Sequence, residues 1–161
     1  MRASARIWLV ASIATLAAVT VAAPATVSAA ENPSAPSIAR AYNTWAAVLE
    51  AADCDGAEVA ALYTPRAILL ATFKEYVQGR AAITNYFDDL TCKENLAVDT
   101  QRSTSVRRGS MGYATGLYTF SYTSVDGTKV EVPARFTFVF EQRNGRWMIV
   151  NHHSSQNPQA H

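Results

Sequence analysis

The second half of the chain reads as consecutive β-strands, and this pattern constrains the fold more than any other feature of the sequence. Its residues are rich in β-branched and aromatic side chains, which favour extended backbone. Asp126-Gly127 and Asn144-Gly145 are sequences typical of tight hairpin turns. We therefore predict an antiparallel meander of four strands, which are Leu96–Arg107, Met111–Ser124, Thr128–Gln142 and Trp147–Ser155.

The first half has mainly helical periodicity. Apolar residues at spacings of three and four predict a long helix within Pro36–Ala52. A capping-box sequence beginning at Asp55 predicts a second helix, which Pro65 ends. Ala67–Phe73 predicts an early strand, and Gly79 precedes a third helix. The order of elements predicts an α+β domain, in which three N-terminal helices pack on one curved antiparallel sheet.

The first 30 residues have the composition of an export signal. A short basic start is followed by the mostly apolar run 7–23 and by Val27-Ser28-Ala29, small residues of the kind that signal peptidase cleaves after. A membrane anchor is the alternative, because the apolar run is almost long enough to span a bilayer. We expect a signal peptide at 1–30, a leader at 31–35, the folded domain at 36–157 and a tail at 158–161. The expected location is periplasmic or extracellular, without membrane contact after signal removal.

Charge and composition exclude two classes of protein. Of the 161 residues, 49% are apolar and 17% are charged, and the formal net charge is +1. These values are typical of a packed domain rather than a disordered tail, and they give no basis for nucleic-acid binding. A chain of this length supports one domain with a core of its own.

Cys54 and Cys92 are the only cysteines of the chain. In an oxidising compartment, an even pair favours a disulfide over a metal or catalytic site. Two unpaired, buried cysteines remain the alternative, because sequence alone does not show that their Cα atoms lie close enough to bond.

Counting outward from the two hairpin turns sorts the strand residues into faces. The count places Tyr118 opposite Arg135 and Thr137 opposite His152, with Phe136 on the other face. Both faces are then substantially apolar, although three helices can cover only one. A second copy of the chain is the simplest cover. The alternatives are a sheet curved enough to bury both faces, or a register that slips by one residue.

No metal site or cofactor is predicted. His152 and His153 are adjacent in a strand and point to opposite faces, so they cannot chelate one ion together. Arg135 lies in an otherwise apolar strand and requires an anionic partner if it is buried. That partner is either a ligand carboxylate or a carboxylate across a subunit interface.

Three segments carry a family resemblance: Gly116–Phe120, Ala134–Glu141 and Asn144–Ser155. Together with the order of elements, they resemble the nuclear transport factor 2-like (NTF2-like) superfamily. More closely, the chain resembles the bacterial proteins that are similar to the association (hub) domain of calcium/calmodulin-dependent protein kinase II and are often labelled SgcJ/EcaC or SnoaL-like. The resemblance covers residues 36–157.

The resemblance implies a cone-shaped domain with a pocket between helices and sheet, and assembly into dimers or rings. Two positions depart from relatives. Ala71 stands where the steroid-isomerase branch has an aspartate base, and Phe138 stands where the kinase hub has an arginine. We therefore expect an exported homo-oligomeric module that binds a small, partly apolar ligand in its cone. The alternative is a SnoaL-like enzyme, an isomerase, cyclase or hydrolase that acts on a small carbonyl compound without a metal. A pure interaction protein with a filled cone is a third possibility. The predicted ligand-binding residues are Tyr42, Tyr118, Arg135, Thr137 and His152.

Overall fold

The computed structural model of the protein describes residues 37–158. The predicted signal peptide and leader, and nearly all of the predicted tail, lie outside these residues. Within them the chain forms three helices and a six-stranded sheet. The elements are α1 (Ile38–Ala51), α2 (Gly56–Ala60), β1 (Tyr63–Ala71), β2 (Lys74–Gln78), α3 (Arg80–Thr91), β3 (Glu94–Arg108), β4 (Met111–Thr123), β5 (Lys129–Arg143) and β6 (Arg146–Gln156). The α+β class and the helix-then-sheet order are confirmed.

The helical layer forms where the sequence predicts it. Ser37 caps α1 by accepting a hydrogen bond from the Arg40 N–H at 3.2 Å. Asp55 caps α2 by accepting one from the Ala57 N–H at 2.9 Å. The buried stripe of α1 consists of Ile38, Tyr42, Trp45 and Leu49, and that of α3 consists of Ile83, Tyr86, Phe87, Leu90 and Thr91.

The predicted disulfide is confirmed. Cys54, in the loop between α1 and α2, is bonded to Cys92 at the end of α3. The two cysteines are 38 residues apart in sequence, so the chain-entropy account gives a stabilisation of about 4 kcal/mol. The bond ties the two longer helices together at one end of the helical layer.

The early strand region differs from the prediction. Pro65 does not end α2, which stops at Ala60; it lies inside β1. Most of the predicted strand at 67–73 is the second half of β1, which begins at Tyr63 and ends at Ala71. β1 then forms an antiparallel hairpin with β2. The sheet order is β2-β1-β6-β5-β4-β3, and β1 pairs with β6 in parallel, so the sheet is mixed rather than wholly antiparallel. A proline is tolerated in β1 because the ladder is irregular between Tyr63 and Ile68.

The predicted pairing of Tyr118 with Arg135 is wrong by one residue. Tyr118 lies opposite Ala134, and Arg135 lies opposite Leu117. The cause is the β4–β5 loop, which has three residues between Ser124 and Thr128 instead of two. Asp126 closes this loop by accepting hydrogen bonds from the Thr128 N–H at 3.0 Å and the Ser124 hydroxyl at 2.5 Å.

The predicted pairing of Thr137 with His152 is wrong for a different reason. Asn144-Gly145 is a two-residue turn with positive φ at both residues, as predicted, and the ladder near it follows the count. Val150 is an extra residue on β6, between the pairs Val139–Asn151 and Phe140–Ile149. This bulge shifts the register, so His152 lies opposite Phe138 and Thr137 lies opposite His153.

The main core lies between the helices and the inner face of the sheet. Gly112 lets α1 approach β4, because a Cβ atom there would come within 2.5 Å of the Ile38 side chain. Gly56 has the same role between α2 and α3: its N–H donates to the Asp88 carboxylate at 2.8 Å, and a Cβ would come within 2.4 Å of the α3 backbone. The helices thus pack closely on the face that carries Tyr118 and His152.

Candidate functional site

Aromatic rings from α1 and the sheet fill the space between the two layers. Phe136 is sandwiched between Tyr42 and Tyr118, with ring centroids 4.7 and 4.8 Å away and planes within 10° of parallel. Trp45 meets Phe138 edge-on, with a centroid distance of 4.6 Å. All five side chains are at most 3% exposed. The inner face is therefore a packed aromatic core.

His152 lies among these rings. Its imidazole stacks on Phe138 with a centroid distance of 3.7 Å, and its Nδ1 is 2.9 Å from the Tyr63 hydroxyl oxygen. That oxygen also accepts a hydrogen bond from the Trp45 indole N–H at 3.0 Å. Within residues 37–158, Nδ1 is the only acceptor bonded to this hydroxyl, so we assign the tyrosine's own proton to the bond with Nδ1, which leaves the histidine proton on Nε2.

The environment of His152 keeps it neutral. Burial, and to a smaller extent the charge of His153, lower its pKa to about 3. Its Nε2 has no hydrogen-bond partner within residues 37–158. An unpaired N–H in an apolar core is costly, so this atom is a local weakness of the packing.

A second buried hydrogen-bonded group lies on the same face. The Tyr118 hydroxyl donates to the Ser154 hydroxyl at 2.5 Å, and Ser154 in turn is hydrogen-bonded to Thr72 in the β1–β2 turn. Burial raises the pKa values of Tyr118 and Tyr63 well above the usual value for tyrosine. At neutral pH these phenols stay protonated and act as hydrogen-bonding groups of the core.

The structure separates the five predicted ligand-binding residues into two groups. Tyr42, Tyr118 and His152 face the core, where the Tyr42 hydroxyl bonds that of Thr100 at 2.7 Å. Arg135 is not buried against Tyr118. It is exposed on the outer face, where its Nε–H donates to the Ser155 hydroxyl at 3.0 Å. Thr137 is also on that side, 3.1 Å from Thr115 between the hydroxyl oxygens. The register differences described above separate these groups.

Sequence reasoning missed several partners of the buried network. The sequence could have indicated Ser154, because it is two residues after His152 and residues two apart in a strand lie on the same face. Tyr63 had none, since the prediction placed it in the second helix. The hairpin count puts Phe138, two residues after Phe136, on the face opposite His152, whereas the two rings are stacked.

The outer face of the sheet carries an apolar patch that none of the helices α1, α2 and α3 covers. Tyr113 and Leu117 are 41% and 39% exposed, although both are large apolar side chains. Tyr113 lies opposite the half-buried Val139 of β5. We call this surface the outer patch; it consists of Met111, Tyr113, Leu117, Val139, Met148 and Val150.

Several surface pockets border the helices, and one of about 560 Å³ lies between the end of α3 and the β4–β5 loop. The α1 pocket, of about 180 Å³, lies between α1 and the β5–β6 turn. Its lining includes Arg40, Leu62, Arg146, Trp147 and Ile149. The α3 pocket, of about 210 Å³, lies between α3, the β1–β2 turn and β4, and its lining includes Phe73, Lys74, Tyr86, Asp89 and Tyr122. Neither Tyr118 nor His152 lines either pocket.

Within residues 37–158, the side chains of histidine, cysteine, aspartate and glutamate form no group of three or more that could hold a metal ion. In the same part of the chain, no helix is both long and apolar enough to cross a membrane.

The packing of helices on a curved sheet is the fold of NTF2-like proteins. An NTF2-like protein with a cystatin-like fold from Novosphingobium aromaticivorans has this architecture, with a TM-score of 0.61 at 15% identity, covering 74% of this chain and 79% of that chain. The association domain of Caenorhabditis elegans calcium/calmodulin-dependent protein kinase II has the same TM-score, 0.61, at 14% identity, covering 74% and 92%. The superfamily resemblance is confirmed.

The particular family follows from the sequence match. The model for the calcium/calmodulin dependent protein kinase II association domain matches residues 34–158. A Xanthomonas campestris protein assigned to that domain is 36% identical, with a TM-score of 0.70, covering 76% of this chain and 87% of that chain. The chain belongs to the association domain family. No curated protein sequence matches it.

Proposed function

We propose that the protein is an exported module whose function is self-association, in which two copies pair through their outer patches and the pairs can assemble further. The observation that carries this proposal is the outer patch itself. Large apolar side chains on the open side of a sheet are unfavourable in water and favour burial against another surface. Membership of an association domain family supports a second copy as that surface.

The geometry favours self-association over a ligand held inside the cone. The rings of Tyr42, Phe136 and Tyr118 occupy the space that the predicted ligand would fill. The phenols there stay protonated, and His152 is neutral and fully enclosed. A filled cone matches the interaction-protein interpretation of the sequence.

Export is supported by two features. The disulfide between Cys54 and Cys92 is of the kind that persists in oxidising compartments. The first 30 residues have the composition of a cleavable signal. Mass spectrometry of the protein recovered outside the cytoplasm tests this part, because it gives both the N-terminal residue and the oxidation state of the two cysteines.

Sedimentation velocity at micromolar concentration tests self-association. We expect the purified protein to sediment as a dimer or larger species, with an interface of more than about 1,000 Å². Tyr113→Asp places a charge in the outer patch and is expected to weaken association by about tenfold or more. Tyr76→Asp is the matched control, because Tyr76 is 57% exposed on β2, outside the patch.

Two results would overturn the proposal. One is a wild-type protein that sediments as a single chain. The other is a Tyr113→Asp protein that stays folded and associates as strongly as the Tyr76→Asp control.

A further inference from the structure

Two opposite charges flank the outer patch along β5. Arg135 lies opposite Leu117, at one end of the patch. Glu141 lies opposite Met111, at the other end. Because the β4–β5 ladder is regular, both charged side chains are on the outer face, as is Val139 between them. At about 3.3 Å per residue, the two charged positions are about 20 Å apart.

The arginine at one end of the patch can bind a further anion. The Nε–H of Arg135 donates to the Ser155 hydroxyl at 3.0 Å, which uses one of the five N–H donors of a guanidinium. In the part of the chain that the structure describes, the ion pairs contain Lys74, Lys129 and Arg143 but not Arg135. A carboxylate that approaches the outer face can therefore pair with this side chain.

The glutamate at the other end has one carboxylate oxygen engaged. The Nε and Nη2 atoms of Arg143 both bind Oε2 of Glu141, at 2.9 and 2.8 Å. Oε1 accepts no hydrogen bond from residues 37–158. A carboxylate has acceptor sites for more than one guanidinium, so Oε1 can accept from a second arginine while Arg143 holds the group in position.

The positions of these charges distinguish two ways of stacking two outer faces. Packed sheets lie about 10 Å apart with nearly aligned strands, a gap that an arginine and a glutamate side chain can bridge together. If the two copies of β5 run in the same direction, Arg135 faces the partner's Arg135, and like charges repel. If they run in opposite directions about a two-fold axis at the level of Phe138, each Arg135 faces the partner's Glu141. A parallel arrangement shifted sideways by one strand sets Arg135 over Leu117, without an anion.

We propose that the two copies pair in the antiparallel direction, with Arg135 of each copy bound to the partner's Glu141. This inference rests on the proposed self-association and adds its direction and register. The ion pair forms twice, because a two-fold axis repeats every contact. Each pair lies at an end of the patch, near solvent, so the pairs select the orientation more than they add to affinity.

Reversal of each charge tests the pairing by sedimentation velocity at micromolar concentration. Arg135→Glu brings carboxylates together at both ends of the interface, and Glu141→Arg brings guanidiniums together. We expect either variant alone to associate about tenfold or more weakly than the wild type. Lys74→Glu is the matched control, because it makes the same change of charge at an exposed position of β2, outside the patch. Its expected effect is below about twofold.

An equimolar mixture of the two reversed variants is the sharper measurement. A dimer of one Arg135→Glu chain and one Glu141→Arg chain has opposite charges at both ends, so association should return to within about threefold of the wild-type level. The chain that carries both substitutions should recover in the same way. A variant that had lost its fold would not recover on mixing, so recovery separates a broken contact from a broken structure.

The inference is overturned if the reversed variants associate as strongly as Lys74→Glu, or if neither the mixture nor the doubly substituted chain recovers. Tyr113→Asp separates this failure from failure of the proposed function. If Tyr113→Asp dissociates the protein and charge reversal does not, the outer patches pair, but in another direction. A wild-type protein that sediments as a single chain would contradict both.

Discussion

The inner and outer faces of β4, β5 and β6 are built from alternating residues of the same strands, yet they have opposite characters. On the inner face, Phe136 and Phe138 are at most 3% exposed and are enclosed by rings from α1. On the outer face, the neighbouring Arg135 is exposed and Thr137 is half-buried. Among residues 37–158, Nε2 of His152 is the only buried side-chain nitrogen or oxygen without a hydrogen-bond partner, whereas the outer polar groups have neighbours that solvent also reaches.

The contrast shows how much depends on a single residue in a loop or a bulge. In a strand, a shift of one residue exchanges the two faces. One extra residue in the β4–β5 loop and one bulged residue, Val150, decide that Phe138 meets His152 in the core and that Arg135 meets solvent. The functional interpretation changes with them, from an arginine in the pocket to a packed core with an apolar outer patch.

The assignment of inner and outer faces is tested most strongly by comparing the stability of Phe138→Ala with that of Thr137→Ala. The alanine at 138 leaves a cavity between Trp45 and His152, so we expect the free energy of unfolding to fall by about 3–5 kcal/mol. The alanine at 137 removes one half-exposed hydrogen bond with Thr115, and the expected loss is below about 1 kcal/mol. Urea denaturation at one fixed protein concentration measures both. Equal losses would contradict the assignment of faces.

Much of the fold could be predicted because local patterns and tertiary packing agree. The stripe Ile38, Tyr42, Trp45 and Leu49 predicts α1 and is its buried face. The turn sequences Asp126-Gly127 and Asn144-Gly145 predict where β4 ends, where β5 begins and ends, and where β6 begins. Each predicted bound lies within two residues of the bound in the structure. The hairpin at β1 and β2 could not be predicted in the same way, because β1 is held by parallel pairing with β6, which is about 80 residues away in sequence.

The candidate site was less predictable, for a physical reason. Tyr118 and His152 were placed on one face, and they do face the same core. The predicted pairing of Tyr118 with Arg135 is wrong because Asp126 favours a three-residue loop through its hydrogen bonds with Ser124 and Thr128. Turn type depends on these side-chain bonds as well as on the Asp-Gly pair. The role of the five residues in ligand binding stays a prediction.

The pH dependence of stability tests the enclosed histidine. The pKa of His152 is about 3 in the folded protein and near 6.5 when unfolded, so the unfolded chain binds the proton first as the pH falls. This contribution to stability is complete above pH 6.5 and is lost progressively toward pH 3. At pH 4.5 we expect this group alone to lower the free energy of unfolding by about 2–3 kcal/mol relative to pH 7.

His152→Gln and His153→Gln separate this effect from the titration of other groups. His153 is exposed on the other face of the same strand, and its charge is the smaller cause of the lowered pKa of His152. Urea denaturation at both pH values should show a flatter pH dependence for His152→Gln and a nearly unchanged one for His153→Gln. If both variants keep the wild-type dependence, His152 is not enclosed as the structure shows.

The smallest expected effect is that of Arg135→Met. An exposed guanidinium with one hydrogen bond to Ser155 contributes little, so we expect the free energy of unfolding to change by less than about 0.5 kcal/mol. Tyr118→Phe is the comparison on the inner face, where loss of the bond to Ser154 is expected to cost about 1–3 kcal/mol. Thermal and urea denaturation measure the difference. An arginine variant that loses as much stability as the tyrosine variant would place Arg135 in the core after all, and would show that the β4–β5 register is the one the two-residue turn predicts.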